Sequence, residues 1–148
     1  MLKTRRARPV TTARGSAMIG LDTNILVRYL TQDDPVQSPT ASEILERRLT
    51  EGNPGFVSIV AMVETVWVLE RAYGFSGAEI AAAVERMLQA DALVVESEFE
   101  VFTAMIAVKE GRGSFADAAI GTLGEKAKCS STLTLDEKAL RLSRFEVP

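Results

Sequence analysis

A chain of 148 residues with 47% apolar content has material for one domain with a proper core. It contains no histidine and a single cysteine, Cys129. That excludes Ser-His-Asp and Cys-His catalysis, a histidine-ligated zinc site and an internal disulfide. One unpaired thiol suits a reducing compartment, so a cytoplasmic protein is expected. No run approaches the roughly 18 to 20 uncharged apolar residues of a membrane span, so no membrane partner is expected.

The net charge of −3 hides an asymmetry. Residues 1–17 carry Lys3, Arg5, Arg6, Arg8 and Arg14 with no acid, which leaves 12 basic against 20 acidic side chains in residues 18–148, a balance of −8. The segment lacks the apolar stretch of a secretory signal. It reads as a disordered leader, or as an upstream start ahead of a true start at Met18, with a nucleic-acid-binding arm as the alternative. The domain proper is expected over 18–148.

In chain order, Ile19-Gly20-Leu21 predicts a short buried strand and Asn24 to Leu30 the helix after it. Ser38-Pro39 reads as a helix start, serine as N-cap and proline in the first turn, running to about Glu51. Phe56-Val57 predicts a second strand, with Ser58 capping a helix from Ile59 to Ala72 that Gly74 ends. Ser76 and Glu79 form a capping box for a helix reaching Ala90, and Ala92 to Val95 a third strand. Ser97 and Glu100 are expected to cap a helix to Glu110. Ser114 starts another, to Lys126. Ser131 to Leu135 predicts the fourth strand, Glu137 to Leu142 a short helix, and Phe145-Glu146-Val147 an edge strand. Strands alternating with helices imply an α/β fold, a mostly parallel central sheet of four to five strands with helices on both faces.

Four carboxylates stand where apolar or small residues would be expected. Asp22 closes the first strand, Glu64 interrupts the apolar run Ile59–Leu69, Asp117 opens a segment rich in alanine, and Asp136 follows Leu133-Thr134-Leu135. Each has an ordinary explanation. Asp22 and Asp136 could be N-caps, Asp117 could complete a capping box with Ser114, and Glu64 could pair with an arginine. Glu64 lies on a helix apolar on nearly every face, so its side chain is expected to be enclosed. Ligands of parallel α/β sheets bind outside the carboxyl ends of the strands, which would let the four acids converge. Like charges about 4 Å apart repel by roughly 4 kcal/mol at an effective dielectric near 20, so such a cluster calls for a cation. Oxygen-only ligands point to Mg²⁺, with Mn²⁺ as the near relative.

The segment Met18-Ile19-Gly20-Leu21-Asp22-Thr23-Asn24-Ile25-Leu26-Val27-Arg28-Tyr29-Leu30 resembles the opening of PIN-domain proteins, in particular the VapC-type toxins of bacterial toxin–antitoxin pairs. Ser58 through Glu64 to Leu69-Glu70 resembles their second acidic motif, Phe115-Ala116-Asp117-Ala118-Ala119-Ile120 the third and Thr134-Leu135-Asp136 the fourth. The likeness spans residues 18 to about 145. Leu135 stands where phenylalanine is common, and Ala119-Ile120-Gly121 replaces a usual Leu-Ile-Ala. The resemblance implies a three-layer sandwich and a magnesium-dependent endoribonuclease, usually a homodimer, silenced by a cognate antitoxin. It implies metal ligation by Asp22, Glu64 and Asp117, with Asp136 completing the site. Thr23, Asn24, Ser58 and Thr134 would orient those carboxylates. Arg28 and Arg112 are candidate phosphate contacts on the RNA substrate. Trp67, Val68, Tyr73 and Phe75 would offer a dimer or antitoxin surface, or core packing, the latter expected for Trp67.

Two other readings fit parts of the pattern. A phosphotransfer domain using Asp22 would want an aspartate two residues later and a lysine at a strand end, where Asn24 and Thr134 stand. A non-catalytic binding module could receive a partner's arginine in the acidic pocket.

Overall fold

The computed structural model describes residues 17–148, so of the basic leader only Ala17 is among them. The chain runs β1 (Ile19–Gly20), α1 (Thr23–Thr31), α2 (Gln37–Glu43), β2 (Gly55–Val57), α3 (Ile59–Tyr73), α4 (Gly77–Gln89) and β3 (Leu93–Val95). It continues through α5 (Glu98–Lys109), α6 (Phe115–Lys126), β4 (Thr132–Leu133), a 3₁₀ helix (Glu137–Arg141) and β5 (Phe145–Glu146). The fold class is α/β as expected, and every strand pair is parallel.

Among the described residues the five strands form two ladders. β1, β2 and β3 pair in sequence order, with Gly20 opposite Phe56 and Phe56 opposite Val94. β4 pairs with β5, Thr132 lying opposite Phe145. The central sheet is therefore smaller than the four to five strands expected. The ladder hydrogen bonds explain the division: Leu21 N–H goes to Phe56 O at 2.9 Å, while Thr134 N–H goes to Glu146 O at 2.9 Å.

The core lies against the three-stranded ladder. Val57 and Leu93 are buried there together with Leu26, Met62, Leu69, Ile80, Met105 and Phe115. Each such side chain contributes about 1.5–3 kcal/mol on leaving water. Capping follows the sequence in most places. Ser58 Oγ accepts from Ala61 N–H at 3.0 Å, and Ser76 and Glu79 form the reciprocal capping box. Gly74 closes α3 at φ +64°, a left-handed turn that favours glycine.

Four local expectations are corrected. Ser38 does not cap α2. It is buried inside the helix, its hydroxyl donating to Arg28 O at 2.9 Å, while Asp34 Oδ1 takes the Val36 and Gln37 amides. That helix also ends early, through a π-helical turn over Ile44–Arg48, because Leu49 turns inward to the core. Ser97 adopts a left-handed φ of +54° and caps nothing; its hydroxyl accepts from Lys126 Nζ at 3.1 Å. Trp67 is outside the core, 56% exposed, with the Arg71 guanidinium 5.7 Å from its ring centre.

Candidate active site

The site begins where β1 hands over to α1. Extended backbone at Asp22 (ψ 158°) turns into the helix at Thr23, and Asp22 Oδ1 accepts the Thr23 N–H at 2.8 Å. The cap fixes the carboxylate at the helix N-terminus, where backbone dipoles favour negative charge. On α1, Thr23, Asn24, Val27 and Arg28 recur at helical spacing on one side. On α3, Glu64 and Val68 stand one turn apart. These two faces enclose a groove of about 220 Å³ that presents both Asp22 and Glu64.

Glu64 is exposed rather than enclosed, a correction to its sequence reading. The all-round apolar character of α3 misled: Val60 and Trp67, a turn to either side of Glu64, are exposed as well. The buried stripe of that helix runs instead through Met62, Thr65, Val66 and Leu69. Neither Asp22 nor Glu64 forms an ion pair among the described residues.

Arg28 reaches the same groove but is engaged elsewhere. Its Nε donates to Gln37 Oε1 at 2.8 Å, and its Nη1 to Tyr73 Oη at 3.1 Å and to Asp33 Oδ1 at 3.4 Å. Tyr73 Oη donates in turn to Asp33 Oδ2 at 2.7 Å. The Thr31 hydroxyl, then that of Tyr73, and last the Arg28 charge hold the Asp33 carboxyl below its ordinary range. This clamp was missed in the sequence, where Asp33 and Gln37 looked like loop residues and Tyr73 lies 45 residues from Arg28.

Asp117 lies in the first turn of α6, where its N–H donates to Ser114 Oγ at 3.1 Å. Asp136 caps the 3₁₀ helix, its Oδ1 accepting from Lys138 N–H at 3.0 Å. Neither lines the groove of Asp22 and Glu64. Thr134 Oγ1 accepts the Asp136 N–H at 3.0 Å, which orients that backbone. The Ser58 hydroxyl is committed to the cap of α3. Arg112 pairs with Glu110 at 3.1 Å and lines a separate cavity near Phe145 and Leu142.

The donors at the groove are all oxygens: two carboxylates, with the Thr23 hydroxyl and the Asn24 amide beside them. Among the described residues no three acidic or thiol side chains form a ready-made metal cage. The set therefore fits a hard divalent cation that keeps most of its water, as Mg²⁺ does with one or two carboxylates. It does not fit a closed structural site of the zinc kind.

A parallel α/β domain with an acidic, cation-compatible groove beyond the end of its first strand has that groove where such sheets bind ligands. The chain belongs to the PIN domain family, whose model matches residues 19–145. PIN domains are typically metal-dependent nucleases that use Mg²⁺ or Mn²⁺. No curated protein matches the chain. Among the described residues no helix is long and apolar enough to cross a membrane.

Proposed function

We propose that this protein is a magnesium-dependent endoribonuclease of the VapC toxin kind, acting in the cytoplasm and silenced by a cognate antitoxin. The observation that carries the reading is the meeting of Asp22 and Glu64 in one open groove, with no ion pair to either from any described residue. A bound divalent cation supplies the positive charge that draws a phosphodiester into so acidic a groove and activates water there. Asp22, held by its cap, and Glu64, one turn from Val68 on a rigid helix, are the groups to hold it. Asp117 and Asp136, outside the lining of this groove, are the further carboxylates of this reading; Ser114 holds the Asp117 backbone, and the Lys138 amide holds the Asp136 carboxylate. With no histidine in the chain, no side chain has an ordinary pKa near neutrality, so proton transfer falls to water and carboxylates.

Val60, Glu64 and Trp67 recur at i, i+4 and i+7, so exposed apolar groups flank the acid on the outer face of α3. A second copy of the chain or an antitoxin covering that stripe would also cover the groove. The alternative reading, a binding module whose acids receive a partner's arginine, draws on the same pair. Incubating purified protein with total RNA in Mg²⁺ and in EDTA separates them. Metal-dependent cleavage lost in Asp22→Asn and Asp117→Asn supports the nuclease. No cleavage of any RNA by the wild type leaves the binding module. Sequencing of RNA ends after induced expression then gives the target, and light scattering with and without Trp67→Ser tests the dimer.

A further inference from the structure

We propose that Lys138 and Arg141 form the track on which the RNA backbone lies; the choice of RNA rests on the nuclease reading. Charge is unevenly divided along the domain. Residues 18–125 hold seven basic against seventeen acidic side chains, a balance of −10, whereas residues 126–144 hold five basic against two acidic, a balance of +3. Such an acidic body repels a polyanion, so among the described residues this basic stretch favours the approach of a phosphate backbone.

Two of the five cations are occupied. Lys126 pairs with the buried Glu100 at 3.2 Å, and Arg144 with Glu125 at 3.2 Å. Lys128, Lys138 and Arg141 are exposed and form no ion pair with any described residue. A 3₁₀ helix repeats every three residues, so positions i and i+3 eclipse. Ala139 and Leu142 form the buried row, at 2% and 6% exposure, which leaves Lys138 and Arg141 together on another, exposed row. Thr132 N–H donates to Arg144 O at 2.8 Å, bringing the loop that carries Lys128 back to the end of this helix. The row starts two residues beyond Asp136, whose side chain caps the same helix. A strand of RNA held there would pass Asp136.

The test reads binding apart from cleavage. A labelled, unstructured RNA oligonucleotide is titrated with full-length protein in EDTA over a range of salt. For single strands each phosphate contact contributes about 0.7 to the slope of log K against log salt. Lys138→Gln/Arg141→Gln should therefore lower the slope by about 1.4 and weaken binding roughly 10- to 25-fold at 0.1 M salt. Lys138→Arg/Arg141→Lys should restore both. Arg47→Gln/Arg48→Gln removes the same charge from the π-helical turn and should change neither. An unchanged slope in the Lys138/Arg141 variant overturns the track, as does an equal loss in the Arg47/Arg48 variant. If the wild type cleaves RNA in Mg²⁺ while the Lys138/Arg141 variant binds normally, the track fails and the nuclease stands. If no RNA is cleaved but the slope falls as expected, the nuclease reading fails and the RNA contact stands.

Discussion

Asp22 holds two positions at once, and two substitutions separate them. Its Oδ1 caps α1 through the Thr23 amide, and its charge is half of the acidic groove. Asparagine ranks with aspartate as an N-cap, whereas alanine typically costs about 1 kcal/mol, within a range of about 0.5–2. A domain of this size loses about 3–5 °C in Tm per kcal/mol. In EDTA, Asp22→Ala should therefore melt about 3–5 °C below wild type. Asp22→Asn should stay near it, because asparagine caps as well and because Asp22 and Glu64 are like charges with no ion pair to any described residue. Magnesium separates the wild type from both variants. A cation that binds only the folded state stabilises by RT ln(1 + [Mg²⁺]/Kd), about 1.4 kcal/mol at ten times Kd. The wild type should gain about 4–7 °C and both variants should gain nothing. Differential scanning calorimetry in EDTA and over a Mg²⁺ titration, with RNA cleavage measured on the same samples, checks each step. Equal loss in both variants without metal would refute the cap. A full magnesium response in Asp22→Asn would refute the groove as the cation site, and full cleavage by that variant would sink the assignment.

Other expectations concern packing and pH. Thr65 is fully buried on α3 and its hydroxyl has no hydrogen-bond partner among the described residues, so Thr65→Val should raise stability by about 1–2 kcal/mol in urea unfolding. A Cβ added at Gly121 would lie 2.5 Å from Phe145 Cε2, so Gly121→Ala should destabilise by about 1–3 kcal/mol as β5 shifts; an unchanged midpoint would show that the ring moves freely. Asp33 is held below its ordinary value by Thr31, Tyr73 and Arg28, so its contribution is present above pH 4 and is lost as pH falls through the lower folded value. Asp33→Asn should accordingly flatten the acid limb of Tm against pH. Partial desolvation of the largely exposed Glu70 raises its carboxyl, against a smaller lowering by Arg71, so the ionised form is slightly disfavoured. Glu70→Gln should stabilise slightly at pH 7 and lose that advantage below the ordinary glutamate range.

The fold was legible because its signals are local. Gly74, the Ser76–Glu79 capping box and Ser58 act within one helical turn, so their geometry follows from neighbours in sequence. Ser38 and Ser97 failed for the opposite reason. A more distant demand, the Arg28 carbonyl in one case and the Lys126 ammonium in the other, outcompeted the local cap. Glu64 and Trp67 were misjudged because α3 is apolar on most faces, and hydrophobicity alone does not say which face meets the core.

The amino-acid sequence by itself determined the alternation of strands and helices, the exclusion of histidine and disulfide chemistry, and the identity of the four acids. These depend on residue type and on spacings of a few positions. Only the tertiary structure decided that Asp22 and Glu64 share a groove between α1 and α3, and that Asp117 and Asp136 stand outside its lining. It also decided that Arg28 is tied to Asp33, Gln37 and Tyr73, and that the strands divide into ladders of three and two. Those outcomes depend on which faces pack together, and packing is a competition among distant partners that no local pattern encodes.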